Sequence, residues 1–336
     1  MARRRKRYNV AVVGVGAVGR EMLRVLMQRN FPAKRIVVMA RRPRTISVDG
    51  ERFYVRKASV KAFEGIDIAL FAGGEVASAE LGWPAAEKGA IVIDNSATFR
   101  LDPEVPLVVP EVNPDDVGWH KGLIANPNCS TIQMVVALKP LHDAARAKRV
   151  VVSTYQSVSG TGRESIRELR EQVKAAASGR RLSWRVYPHQ IAFNLIPEIG
   201  SFDEEGYCSE ERKMERETQK IMGEPIRVTA TTVRVPVYVG HAEAVNVEFE
   251  RRITADEARE ILSRAPGVVV VDDPEGHEYP MPLLVAGRDE VFVGRIREDG
   301  TVRSGLWLWV VADNLRKGAA TNAVQIAELL IERGLI

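Results

Sequence analysis

The sequence lacks most of the features that would mark a secreted, membrane-bound or disordered chain. Two cysteines in 336 residues, Cys129 and Cys208, cannot make a disulfide framework, and neither belongs to a metal-ligand spacing, so no metal is expected. No apolar run approaches the ~18 residues of a membrane span. The opening Met1-Ala2-Arg3-Arg4-Arg5-Lys6-Arg7 is followed by no hydrophobic segment of signal-peptide type. The cytoplasm is the expected compartment, with no membrane partner. Net positive charge is confined to that leader, whose five basic residues exceed the total of +4 and leave the rest slightly acidic. A short basic terminus of this kind reads as solvated, so nucleic acid is not an expected partner.

Apolar residues at 45% and charged residues at 27% exclude a disordered or fibrous chain, and the length suffices for two domains with separate cores. Tyr8 to Val13 reads as a buried strand. It runs into Gly14-Val15-Gly16-Ala17-Val18-Gly19 and then a helical stretch with Met22, Leu23, Leu26 and Met27 on one face. A GxGxxG between a strand and a helix is the dinucleotide fingerprint, in which Gly14 makes the turn, Gly16 admits a pyrophosphate and Gly19 lets helix pack on strand. The next strand, Ile36 to Ala40, ends in Arg41-Arg42 where an NAD site would carry an acidic ribose ligand. Guanidinium groups there favour a 2′-phosphate, hence NADP(H). Strands expected at Ile66–Phe71, Ala90–Asp94 and Leu107–Val109 alternate with helical segments such as Ala77–Lys88, which predicts a doubly wound, mostly parallel α/β sheet. Gly73 and Ser96, just past strand ends, are candidate walls of the cofactor cleft, and Arg100 beyond the same edge is a candidate anion clamp.

Asn126-Pro127-Asn128-Cys129-Ser130-Thr131 is the stretch around which the chain is organised. Asn128 is a good N-cap for the run Ile132, Val135, Val136, Leu138 and Leu141, so Cys129 falls in the first helical turn. Unpaired N–H groups and the helix dipole favour thiolate there, which makes Cys129 the candidate nucleophile. Long strands at Val150–Tyr155 and Arg227–Val239, with charged helices between them, predict a second, α+β domain on a mixed or largely antiparallel sheet. Gln156 ends a strand before the small-residue loop Ser157 to Gly162. Glu210 and Lys213 share a helix face. Arg234 and His241 bracket a strand-like segment, and the glycine before His241 predicts a more exposed ring than a core histidine. His189 reads as structural. The final helix, about Ala319 to Glu332, has one apolar face that is expected to pack on the first domain. The predicted division is 1–128 completed by 315–336, and 129–314.

These motifs resemble the aspartate-β-semialdehyde dehydrogenases along nearly the whole chain. NPNCST around Cys129 carries the likeness most specifically. It is joined in order by the GxGxxG loop, IDNSATFR ending at Arg100, YQSVSGTG around Gln156, HQIAFNLIPEIG, EERK from Glu210 to Lys213, RVPVYVGH from Arg234 to His241, and DNLRKGAA from Asp313. The first loop departs from the family pattern at Val15, where Thr is more usual. The resemblance implies NADPH-dependent reductive dephosphorylation of β-aspartyl phosphate to aspartate semialdehyde, through a cysteine thioester, on the route to lysine, threonine, methionine and isoleucine. By similarity Cys129 is the nucleophile, His241 the acid and base, and Gln156 orients the acyl group. Arg234 meets the substrate carboxylate, Glu210 its amino group beside Asn128, and Arg100 and Lys213 the phosphate. Ser159, Gly160 and Asn314 join the cofactor contacts, and a homodimer is the expected assembly. A related acyl-phosphate reductase would share cofactor and cysteine, but Glu210 has no use for an N-acylated substrate. A non-catalytic NADP-binding paralogue would have no need of Cys129, Gln156 and His241 together.

Overall fold

A computed structural model describes residues 6–336; Arg3, Arg4 and Arg5 of the basic leader lie outside the described residues. The chain forms two compact units, one running to Pro127 and taking in Ala319–Ile336, the other Asn128–Gly318. In chain order the first contains β1 (Tyr8–Val13), α1 (Ala17–Gln28), β2 (Ala33–Ala40), β3 (Arg44–Val48), β4 (Glu51–Lys57), β5 (Ile68–Phe71), α2 (Glu75–Glu87), β6 (Ile91–Asp94) and β7 (Leu123–Ala125). The second contains α3 (Cys129–Ala145), β8 (Ala147–Gln156), α4 (Arg163–Ala177), α5 (Ser209–Met222), β9 (Arg227–Arg234) and β10 (His241–Phe249). It continues with α6 (Ala255–Ser263), β11 (Val268–Val270), α7 (Pro282–Val285), β12 (Val291–Glu298) and β13 (Gly305–Ala312). Helix α8 (Thr321–Glu332) belongs again to the first unit.

The first unit is an α/β fold of Rossmann type on a seven-stranded sheet ordered β3-β4-β2-β1-β5-β6-β7, parallel except for the β3–β4 pair. The chain leaves β1 toward β2 on one side and returns to β5 on the other. The loops after β1 and β5 therefore meet at the carboxyl edge, the place where such sheets bind ligands. Val10 and Val12 of β1, Met22, Leu23 and Leu26 of α1, and Ala323, Val324, Ala327 and Leu330 of α8 share one core. The three- and four-residue spacing in α1 and α8 is what presents these side chains on single faces. Leu330 is fully buried, and its truncation to alanine should cost about 2–5 kcal/mol.

Two details of this unit differ from the sequence expectation. Leu107–Val109 is not a strand: Leu107 makes one isolated bridge to Ala125, and the flanking Pro106 and Pro110 lack the N–H groups a longer ladder would use. The hairpin β3–β4 was not anticipated. It turns at Asp49-Gly50, both at positive φ, and buries Ile46, Val48 and Val55.

The second unit has a mixed six-stranded sheet ordered β11-β12-β13-β10-β8-β9. Strand β10 is antiparallel to both β8 and β13, whereas β9 runs parallel to β8 and β11 parallel to β12. The expected strand Arg227–Val239 stops at Arg234, because Pro236 cannot donate to the ladder. Helix α3 packs on this sheet and on α5 and α6. Among the described residues, no helix is long and apolar enough to cross a membrane.

Candidate active site

In the first unit the cofactor candidates follow from backbone shape. Gly14 has φ +102°, and a Cβ there would collide with the Ala72 carbonyl at the end of the neighbouring strand; a Cβ on Gly19 would collide with the carbonyl of Gly14. A Cβ on Gly16 would meet nothing within 4 Å, so the loop is packed on its inner side and open on its outer side. Gly16 is also the N-cap of α1 and no side chain caps that end, which leaves the first N–H groups of the helix available to a phosphate. Val15 is buried, and Ala17 and Val18 begin the helix. This cradle fits a dinucleotide pyrophosphate. Arg41 and Arg42 follow β2, both exposed, and no hydrogen bond or ion pair engages them among the described residues. Gly73 follows β5. Ser96 follows β6 and donates to Asp94 at 2.5 Å, as does Ser78 from the other side. Arg100 is buried, with Nε donating to the Asn126 carbonyl at 3.0 Å and Nη2 to that of Asn95 at 2.8 Å.

In the second unit the site is built outward from the start of α3. Asn128 has extended backbone and its Oδ1 accepts from the N–H groups of Ser130 (3.0 Å) and Thr131 (3.3 Å), so Cys129 is the first helical residue and is half-buried. The other end of the same amide donates to Glu210 Oε1 at 2.8 Å, and the Asn128 N–H donates to Glu217 Oε2 at 2.6 Å. Glu210 also receives the Gln156 amide at 3.0 Å and faces Lys213 Nζ at 3.4 Å. Burial alone would raise the Glu210 carboxyl. Lys213, the Asn128 and Gln156 hydrogen bonds and Arg234 outweigh it and hold the group below the ordinary glutamate range.

Gln156 and Arg234 are register partners at the ends of the parallel strands β8 and β9, which puts their side chains on the same face. Thr154 donates to Gln156 Oε1 at 3.0 Å and fixes which end of that amide points at Glu210. Arg234 is 4% exposed, and its Nη1 donates to the Ser157 carbonyl at 2.7 Å. A Cβ on Gly160 would sit 2.9 Å from Arg234 Nη1 and 3.3 Å from both Cε1 and Nε2 of His241, so the exposed Gly160 packs directly against guanidinium and imidazole and covers both.

His241 is 0% exposed, against the expectation of an open ring. The reason is that it begins β10, a strand flanked on both sides, and is roofed by the Ser157–Gly160 loop. Its Nδ1 lies 3.0 Å from the Ser157 N–H and 3.1 Å from the Ser157 hydroxyl. Burial, then Arg234, hold the ring well below the ordinary histidine value. Asn314 Oδ1 accepts three donors at 3.0 Å each: the hydroxyls of Ser157 and Ser159 and the Gly240 N–H. His189 is exposed and outside this group.

Several residues of this constellation carry no assignment in the sequence reading. Ser157 holds His241. Glu217 holds the Asn128 backbone. Gly318 lies where a Cβ would come 2.8 Å from Cys129 Cβ. Glu243, two positions from His241 on β10, is fully buried, and burial pushes its carboxyl well above the ordinary range. Ser130 and Gln133 of α3 are its polar neighbours, yet neither Glu243 oxygen closes a well-formed hydrogen bond. The period-two alternation of a strand was the signal that Glu243 shares the face of His241.

Fold and site define an oxidoreductase with one nucleotide-binding unit and one unit carrying the candidate thiol. Residues 9–120 match the semialdehyde dehydrogenase NAD binding domain, and residues 138–317 the semialdehyde dehydrogenase dimerisation domain. The aspartate-semialdehyde dehydrogenase of Aquifex aeolicus is 55% identical over 98% of this chain and 99% of its own length, and that of Bacillus subtilis 46% over 98% and 99%. The crystal structure of aspartate semialdehyde dehydrogenase II from Vibrio cholerae, solved also in complex with ASA, superposes with a TM-score of 0.94 at 46% identity, covering 97% of this chain and 99% of that one. The chain belongs to the aspartate-semialdehyde dehydrogenase family.

Proposed function

We propose that this enzyme converts β-aspartyl phosphate to aspartate semialdehyde by NADPH-dependent reductive dephosphorylation through a thioester on Cys129, a step toward lysine, threonine, methionine and isoleucine. The observation that carries the reading is the double use of Asn128, which caps the cysteine helix and donates to Glu210. A nucleophile and a buried carboxylate kept ionised thus share one frame. Besides holding Asn128 and Gln156, a buried carboxylate kept ionised in the frame of the thiol suits a substrate that brings an ammonium group to it. Glu210 is then the ammonium's partner, Arg234 the carboxylate's, and Lys213, with Arg100 by resemblance, the phosphate's.

Cys129 sulfur attacks the acyl carbon, and the bond to phosphate breaks as the carbonyl reforms. Gln156 orients the acyl group, and His241 serves the oxygen that takes up charge. NADPH, when bound with its pyrophosphate on Gly14–Gly19 and its 2′-phosphate toward Arg41 and Arg42, supplies the hydride. Cys129 is released when the carbon–sulfur bond breaks to give the aldehyde. Gly73, Ser96, Ser159, Gly160 and Asn314 are the remaining cofactor contacts in this reading. Because Asn314 Oδ1 is filled by three donors, its amide nitrogen is the end left for a ligand. The dimerisation-domain match supports a homodimer. Two cysteines not bridged to each other fit a reducing cytoplasm. The test is NADPH formation from aspartate semialdehyde and NADP, followed by absorbance with and without phosphate. Phosphate-dependent formation is expected, and none at all would overturn the reading.

A further inference from the structure

We propose that Gln172 is a positioning residue for Arg234: from helix α4 it fastens the segment 183–196, whose Ile196 holds the Arg234 main chain, and so sets the guanidinium where the substrate carboxylate is taken. The inference rests on the carboxylate role given to Arg234 in the proposed reaction, and extends it to the residue that puts Arg234 there.

Helix α4 is rich in charge, yet one face of it is buried, and Ser165, Glu168 and Gln172 lie on that face beside Leu169. Buried polar atoms need partners. Between α4 and α5 the chain from 178 to 208 forms no helix or strand, a length at which connections without structure of their own are uncommon. Helix and segment satisfy each other. Gln172 is 2% exposed; its Oε1 accepts from the N–H groups of Ile191 (3.1 Å) and Ala192 (2.8 Å), and its Nε2 donates to the Ser183 carbonyl at 3.1 Å. One amide thus ties two separate points of the segment to one point on α4. Glu168 Oε2 accepts from the N–H groups of Arg185 (2.6 Å) and Val186 (2.8 Å) between those points. Ile191, Ala192 and Ile196 then pack with Leu169 and Val158 in a core of their own.

The far end of the segment reaches Arg234. Strand β9 is the last of its sheet, and on its open side Ile196 forms an isolated antiparallel bridge with Arg234. The Arg234 N–H donates to the Ile196 carbonyl at 2.8 Å, and the Ile196 N–H donates to the Arg234 carbonyl at 3.0 Å. The bond to β8 comes from the next residue, whose N–H donates to the Gln156 carbonyl at 3.0 Å. Ile196 therefore takes both main-chain groups of Arg234. The side chain adds the hydrogen bond to the Ser157 carbonyl, and its buried Nε has no hydrogen-bond partner among the described residues. A guanidinium with so little side-chain anchoring goes where its main chain directs it. That direction is set by Ile196, which follows closely on the Ile191-Ala192 pair that Gln172 fixes.

The test uses the full-length enzyme with two substitutions. Gln172→Met keeps the length of the side chain and removes its three hydrogen bonds, whereas Gln172→Glu keeps the acceptor for Ile191 and Ala192. In Gln172→Met, kcat/KM for aspartate semialdehyde should fall about 10–100-fold, the scale of a misplacement of roughly 1 Å, chiefly through KM. KM for phosphate and for NADP should stay at the wild-type values. Gln172→Glu should show a smaller loss of the same kind. Because Gln172 acts through Arg234, Gln172→Met in an Arg234→Lys background should cost little further. Hydrogen exchange at the Ile196 and Arg234 amides should quicken in Gln172→Met. A loss equal in the two backgrounds, a rise in KM for all three substrates alike, or unchanged exchange at both amides overturns the inference. Wild-type kinetics in Arg234→Lys alone would instead take the carboxylate role from Arg234 in the proposed reaction, and the exchange rates would still decide whether Gln172 holds the Ile196–Arg234 pair.

Discussion

Asn128 and Glu210 are joined by a 2.8 Å hydrogen bond from Nδ2 to Oε1, and the oxygen of the same amide closes the first turn of the helix that Cys129 begins. Asn128→Ala should therefore do two things at once. Loss of the cap should lower stability by about 1 kcal/mol, and release of Glu210 should raise the KM for aspartate semialdehyde. Asn128→Asp keeps the cap and sets a second carboxylate against Glu210, so it should keep stability better than activity. Denaturant unfolding and steady-state kinetics on both variants separate the effects; equal losses of both quantities would contradict the double role.

The two thiols should behave in opposite ways. An alkylating agent near neutral pH should label half-buried Cys129 first and abolish activity, with phosphate plus NADP protecting it. Cys208 is 0% exposed, caps α5 and lies 3.1 Å from the Thr232 hydroxyl. Cys208→Ser should be close to neutral, because serine is a good N-cap. Mass spectrometry after mixing enzyme with β-aspartyl phosphate without NADPH should find the acyl adduct on the Cys129 peptide. An adduct on Cys208 would end the thioester mechanism.

Replacing Arg41 and Arg42 together by neutral residues should erode preference for NADP over NAD by roughly ten- to hundredfold, the equivalent of ~1.5–3 kcal/mol for a charge-assisted contact. Unchanged discrimination in the double variant would assign the 2′-phosphate to another residue. Gly14→Ala, by contrast, should damage the fold of the loop and both cofactors alike, since it forces a Cβ into the Ala72 carbonyl at a left-handed backbone angle.

Arg234→Lys should lower kcat/KM with the fold intact. Lysine keeps the charge but not the planar fork that donates to the Ser157 carbonyl and that the proposed reaction sets against a substrate carboxylate. Wild-type kinetics would remove Arg234 from substrate binding.

Glu243 sets a pH dependence of stability. Its carboxyl titrates well above the ordinary value of 4.5 in the folded state, so the folded chain binds its proton more tightly than the unfolded one. Its contribution is complete below the unfolded value and declines as pH rises toward the folded one. Glu243→Gln, which has no proton to lose, should be more stable than the wild type at pH 8, by about 1–3 kcal/mol if the penalty is that of an unsatisfied buried group. The difference should shrink toward pH 4. A gap that does not vary with pH would show that Glu243 titrates alike in the folded and unfolded chain.

The parts of this structure that were legible in the sequence are those written in local chemistry. The turn from β1 through Gly14 to α1, the Asn128 cap before Cys129, and the 3.6-residue periodicity of α8 each depend on neighbours in the chain. The β3–β4 hairpin was not read from the sequence, although Asp49-Gly50 is a turn signal, because its charged strands mask the alternation of Ile46, Val48 and Val55. What was hidden depends on distant partners. The burial of His241 comes from β8 and β13 on either side of it and from the Ser157 loop, far away in sequence. Nothing near Glu217 in the chain predicts that it holds the Asn128 backbone.

At Gly318 the main chain passes so close to Cys129 that no β-carbon would fit between them. The β-carbon of Cys129 is thereby walled on that side by main chain, which fixes the root from which the sulfur projects. The placement of the thiol then begins with a residue that has no side chain, and a side chain added at position 318 would have to displace the start of α3 or the chain that faces it.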